Sequence, residues 1–174
     1  MSHTTALIVL DAQVNMFDEA FPVYGAPALL ERISGLIAQA RASRIPIIYV
    51  QNAGGLGDPD EPGTLGWHIH PQIAPTVGDV VIQKSTPDAF HETNLQGELK
   101  ARGVSEVILV GMQTELCIAA TCRRAADLGY EVTLVQDGHS TFDFKGQKAA
   151  EAIEHYNTEL ASCARVVPMR ELDL

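Results

Sequence analysis

The chain has 174 residues, 46% of them hydrophobic, and a formal net charge of -10, which suits one globular domain over 1–174 that buries a core without disulfides or structural metal. The acidic excess argues against nucleic acid and anionic membrane as partners, since both select clustered Lys and Arg, and leaves a small molecule as the expected ligand. Three cysteines, Cys117, Cys122 and Cys163, are odd in number and not spaced as metal pairs; with no basic n-region or membrane-length run in MSHTTALIVLDAQ, they predict a cytoplasmic protein.

Taken in order, Ala6–Leu10 (ALIVL) is a wholly apolar run that ends at Asp11, and Pro27–Ser43 carries Leu29, Leu30, Ile33, Leu36, Ile37 and Ala40 at helical spacing. Ile45–Val50 reads as the next strand. From Asn52 to Gly78 the chain is rich in Gly, Pro and Asp without period, a long loop of the kind that is more often functional than idle. Asp79–Gln83 is a third strand ending at Lys84, and Thr93–Arg102 a short helix stopped by Gly103. Glu106–Val110 is a fourth strand, closed by Gly111. A helix through Leu128 follows, with Thr114 suited to be its N-cap and Gly129 its terminator. Glu131–Val135, a helix over Gly146–Ser162 and the short strand Arg165–Val167 complete the pattern. Strands alternating with helices at this spacing predict an α/β protein, a mostly parallel six-stranded sheet covered on both faces.

In such a sheet the strand C-termini share one edge, and ligands bind in the crevice outside it. Asp11 follows the first strand, Lys84 the third and Cys117 the fourth, so residues more than a hundred positions apart converge there. A carboxylate can take a thiol proton, and an ammonium can hold both partners charged. On the helix register Cys117 sits in the first turn, where unpaired amides and the helix dipole favour thiolate; an enzyme reading therefore expects a depressed thiol pKa. Cys122, about 140° further round the helix, faces away.

Asp11 within LIVLDAQVNMF, Lys84 within VIQKSTPDAF and Cys117 within VILVGMQTELCI resemble, in order and spacing, the Asp, Lys and Cys motifs of the isochorismatase-like cysteine hydrolases. The resemblance covers nearly the whole chain. It implies a three-layer αβα sandwich, a non-prolyl cis peptide at Met112–Gln113, and an oxyanion hole from the amides of Gln113 and Cys117. It also implies a mechanism in which Cys117 attacks an amide carbonyl, Asp11 serves as base and then acid, Lys84 gives electrostatic support, and a thioester is hydrolysed. TCRRAADLGYEVTLVQDGHSTFD with GMQTELC looks most like the branch near streptothricin hydrolase. Relatives of this kind commonly form dimers or tetramers, so a homo-oligomer is expected.

The nicotinamidase metal motif is absent: Gln51, Asn52 and Ala53 stand where Asp-x-His would be. His68 and His70 lack a third ligand at fitting spacing, so no metal and no cofactor is expected. Gln13, Phe17, Trp67, Phe90 and His91 are the candidate substrate contacts. His139 can reach the same edge as an alternative base, although a loop histidine bonded to Asp137 or Asp143 is the plainer reading. A catalytically silent binder and a redox-sensing thiol protein are the other classes the sequence leaves open.

Overall fold

The computed structural model describes residues 4–174; Met1, Ser2 and His3, part of the N-terminal stretch read above, lie outside the described residues. Six strands form one sheet: β1 (Thr4–Leu10), β2 (Ile47–Asn52), β3 (Val80–Lys84), β4 (Val104–Met112), β5 (Glu131–Ser140) and β6 (Arg165–Val167). Their order is β3-β2-β1-β4-β5-β6 and every pairing is parallel. The helices are α1 (Ala26–Ala42), α2 (Leu95–Ala101), α3 (Ala119–Asp127) and α4 (Ala149–Leu160).

Because successive strand residues point to opposite faces, an unbroken apolar run serves two cores at once. In β1, Ala6, Ile8 and Leu10 enter one core while Leu7 and Val9 enter the other. In β4, Val107 and Leu109 join the first and Ile108 and Val110 the second. Against the first core lie Leu95 and Leu99 of α2, Ala119, Cys122 and Ala125 of α3 and Leu160 of α4. Against the second lie Leu29, Ile33, Leu36, Ile37 and Ala40 of α1. Each such Leu, Ile or Val taken fully out of water contributes about 1.5–3 kcal/mol, so the helical stripe in α1 and the apolar strands fix each other's place. The result is the expected three-layer sandwich.

Two elements differ from expectation, and both differences shape the site. β5 runs on to Ser140, past the expected end at Val135: after an irregularity between Leu109 and Gly111, it resumes pairing through Gly111↔His139 and Met112↔Ser140. The polar text QDGHS hides this strand because β6 pairs only Thr133, Leu134 and Val135, so the continuation needs no second apolar face. The helix expected from Thr114 is also divided. A π-helical turn, Thr114–Ile118, precedes α3, with the Gln113 carbonyl accepting from both Leu116 N (3.2 Å) and Ile118 N (3.1 Å). Thr114 is the first residue of this turn and not its N-cap; that place falls to Gln113, whose side chain makes no cap bond.

The strand order reverses between β1 and β4, which makes the C-terminal ends of these two strands the switch point of the sheet. Leu10 is level with Gly111 and Asn52 with Lys84. The segments that follow these positions therefore start side by side, and Met112–Gln113 is a cis peptide.

Candidate active site

Asp11 is the first residue beyond β1. Its backbone has φ +49°, a left-handed conformation that Asp tolerates better than most residues, and its N–H donates to Val50 O at 2.8 Å. The side chain is thereby turned into the crevice, 1% exposed. Lys84, the last residue of β3, is 3% exposed. It reaches across β2 so that its ammonium meets three acceptors: Asp11 Oδ2 at 3.0 Å, Asn52 Oδ1 at 3.1 Å and Cys117 Sγ at 3.2 Å. An ammonium has three donors and no acceptor, so one cation is fully used in joining three strand ends.

The electrostatics follow from burial. Desolvation is the largest influence on Asp11 and raises its pKa, although the Lys84 charge pulls the other way. For Lys84, burial pushes downward, but the charges of Asp11 and Cys117 outweigh it and hold the ammonium above the ordinary lysine value. Cys117 is pushed up to about 12, first by burial and then by the Asp11 charge, with Lys84 opposing. This corrects the expectation of a resting thiolate. The helix-terminus argument counted the favourable dipole but not the water that the thiol loses, and here desolvation wins. Cys117 therefore rests as a thiol beside a carboxylate of raised basicity, with one carboxylate oxygen, Asp11 Oδ1, buried and accepting no hydrogen bond.

Two residues of this network escaped the sequence reading. Asn52, the last residue of β2, accepts from Lys84 and donates through Nδ2 to Asp60 Oδ2 at 2.6 Å. Asp60 lies in the long loop, 9% exposed, and its negative charge adds to the rise in the Asp11 pKa. A Cβ on Gly54 would stand 2.2 Å from Asp60 Oδ1, so the loop can close on that carboxylate only with glycine there. Asn52 had a legible signal, a polar residue at a strand end on the ligand edge. Asp60 had none, being one of several acidic residues in a loop.

Of the proposed substrate contacts, Gln13 is a correction. It is 0% exposed, and its amide donates to Asn52 O (3.0 Å) and Trp67 O (2.9 Å) while accepting from Asn52 N (2.8 Å). Every polar atom is committed to stitching the long loop to β2. Val14 N to His68 O, Asn15 N to Gly66 O and His70 N to Ala12 O continue the seam. Phe17 is also drawn elsewhere: it sets its edge on the His70 ring (5.2 Å) and packs on the second core. Phe90 stacks on Tyr130 (6.0 Å) against the first core. His91 is solvent-exposed beside Glu92, 3.9 Å away. Trp67 keeps a buried indole Nε1 with no hydrogen-bond partner. Among the described residues no group of three His, Cys, Asp or Glu is placed to hold a metal ion; His70 Nδ1 instead accepts from Gln72 N (3.2 Å). His139 bonds neither Asp137 nor Asp143; its partners are Thr114 and Asn157.

The model of the Isochorismatase domain matches residues 5–167. The chain belongs to the isochorismatase family. Among its relatives, a streptothricin hydrolase of Streptomyces noursei is 38% identical over 79% of this chain, and a second from the same organism 35% identical over the same share. The chain spans only 50% and 55% of their lengths. A ureidoacrylate amidohydrolase, RutB of Agrobacterium fabrum, is 26% identical, covering 87% of this chain and 83% of its own. The crystal structure of an isochorismatase from Pseudomonas putida superposes with a TM-score of 0.91 at 31% identity, over 98% of this chain and 90% of the other. This isochorismatase-family chain thus places Asp11, Lys84 and Cys117 at the crevice of its sheet. No helix of the described residues is long and apolar enough to cross a membrane.

Proposed function

We propose that this isochorismatase-family hydrolase is a cysteine amidohydrolase that cleaves a C–N bond of a small linear or cyclic carboxamide or ureido compound through a thioester. The observation that carries the reading is the single buried ammonium of Lys84 touching both Asp11 and Cys117. Asp11, its basicity raised by burial, takes the thiol proton as sulfur attacks the carbonyl carbon. Activation of a thiol in the same step as attack fits a resting pKa of about 12 better than a standing thiolate does. Lys84 keeps the network's net charge balanced while the proton moves. The oxyanion would be met by the Gln113 and Cys117 amides, each worth on the order of 3 kcal/mol of barrier. Asp11 returns the proton to the departing amine, then deprotonates the water that hydrolyses the thioester. The unpartnered Trp67 Nε1 is the contact we assign to a substrate acceptor. Relatives named streptothricin hydrolase and ureidoacrylate amidohydrolase support a hydrolase reading, the second an amidohydrolase. A peroxide sensor fits poorly, because that chemistry starts from a thiolate.

We also propose that the chain acts as a homo-oligomer on a small molecule, without nucleic acid, membrane, metal or cofactor.

Ammonia or amine release from a panel of small amides, ureas, carbamoyl acids and lactams tests the reaction class. Release that vanishes in Cys117→Ala and survives a chelator supports it; release unchanged in Cys117→Ala overturns the nucleophile.

A further inference from the structure

His139, near the end of β5, is 3% exposed with both ring nitrogens engaged: Nδ1 lies 2.8 Å from Thr114 Oγ1 and Nε2 2.9 Å from Asn157 Oδ1. The direction of each bond follows from the far end. Asn157 Nδ2 donates to Gln136 O at 3.1 Å, and a carbonyl can only accept, so the opposite atom facing His139 is the amide oxygen. An amide oxygen accepts, so Nε2 carries the proton; Nδ1 is then bare and accepts, and the Thr114 hydroxyl donates. Burial holds the ring neutral by lowering its pKa, as this arrangement requires.

Thr114 is the first residue of the π-helical turn that carries Cys117, 0% exposed, and its hydroxyl is turned to His139. The neighbouring Glu115 is tied in the same direction, accepting from Thr141 Oγ1 at 2.8 Å. Two consecutive residues of this turn are thus moored to His139 of β5 and to Thr141 just past that strand, and His139 itself is level with Gly111, the last residue but one of β4.

We propose that His139 is a positioning residue for the nucleophile turn: holding the Thr114 hydroxyl at Nδ1 while donating to Asn157 at Nε2, it sets Cys117 against Asp11 and Lys84. The inference rests on the reading of Cys117 as nucleophile. A sulfur misplaced by a fraction of an ångström loses rate rather than substrate affinity.

The test compares Thr114→Val, which keeps shape and loses the donor, with Thr114→Ser, which keeps the donor. On whichever panel amide the wild type hydrolyses, Thr114→Val is expected to lower kcat by about tenfold or more with KM unchanged, and Thr114→Ser to stay near wild type. The rate of Cys117 alkylation by iodoacetamide, followed by peptide mass mapping, should fall in parallel and needs no substrate. Adding His139→Gln, whose amide reaches Asn157 but not Thr114, to Thr114→Val should cost nothing further, because both remove one bond. If Thr114→Val does not fold, Asn157→Leu, which releases the tautomer from the surface side, takes its place with the same expected kcat loss. Wild-type kcat in the Val or Leu variant, a KM effect alone, or equal losses in Val and Ser would overturn the proposal. Cys117→Ala separates the two claims: if it keeps full turnover, the nucleophile reading fails, whereas a dead Cys117→Ala beside a normal Thr114→Val removes only the positioning role.

Discussion

Replacing Lys84 by Met would leave the Asp11 carboxylate buried with no ammonium beside it. Breaking a buried ion pair from one side costs about 3–5 kcal/mol, and the carboxylate escapes part of that cost by taking a proton. The expected outcome is therefore double: a lower urea midpoint at pH 7, with the deficit shrinking toward acid where Asp11 is protonated anyway, and loss of hydrolysis because the base is no longer ionised. The pH profile of the wild type follows from the same residues. As the proposed base, Asp11 must be charged for activity, and its pKa is raised, so kcat/KM should fall as pH drops, with its acid midpoint above the ordinary aspartate range of about 4. On the alkaline side Lys84 is held above its ordinary value and Cys117 at about 12, so neither limits the rate near neutrality. An acid midpoint at or below the ordinary aspartate value would count against Asp11 as base. The same residues show where sequence stops: Asp11, Lys84 and Cys117 were legible because each follows a strand run at the shared edge. The sign of the Cys117 shift was not, since it depends on how much water the fold removes.

At the level of elements, the register of β1 against β4 brings Asp11 to the nucleophile turn, and it rests on one glycine. Gly111 has φ +128°, and a Cβ there would stand 1.9 Å from Leu10 O, backbone that cannot give way without moving Asp11. Gly111→Ala should cost about 3 kcal/mol or more in stability, as strain and overlap at a special backbone site, and should lower kcat in the folded fraction. Urea denaturation and active-site titration measure the two effects. The π-helical turn belongs to the same scale. TELCI reads as the start of an α-helix because nothing in it forbids one; the extra residue per turn is accommodated because Thr114 finds a partner on β5 and Glu115 one just past its end, both more than twenty positions away. Gln13 illustrates the converse. A glutamine just beyond the aspartate proposed as base reads as a substrate ligand, and only the loop that folds over it consumes its amide.

The whole molecule leaves aromatic surface in water. Phe21 is 69%, Tyr24 58% and Phe144 66% exposed, and Phe21 stacks on Phe142 at 5.4 Å beside a cavity of about 430 Å³. Phe21, Tyr24 and Phe142 line that cavity together, and clustered exposed aromatic surface is the kind that contacts another molecule. The expected outcome in sedimentation at micromolar concentration is a dimer or tetramer, shifted toward monomer by Phe21→Ser combined with Phe144→Ser. A wild type that sediments as a monomer would remove the oligomer proposal, whereas an oligomer unmoved by the double variant would place its interface elsewhere.

By itself the sequence determined the layers and the edge. Unbroken apolar runs and helical spacing of apolar residues dictate which elements form and that they stack as helix, sheet and helix, because burial of those residues is local in its pattern and large in its energy. It also placed three reactive side chains at strand ends, since parallel strands share one direction. Only the tertiary structure decided what occupies the space between those ends: that Asn52 and Asp60 extend the Lys84 network, that Gln13 is a seam and not a ligand, and that His139 faces Thr114. Those outcomes depend on desolvation and on hydrogen bonds across long sequence separations, and neither leaves a periodic trace in the chain.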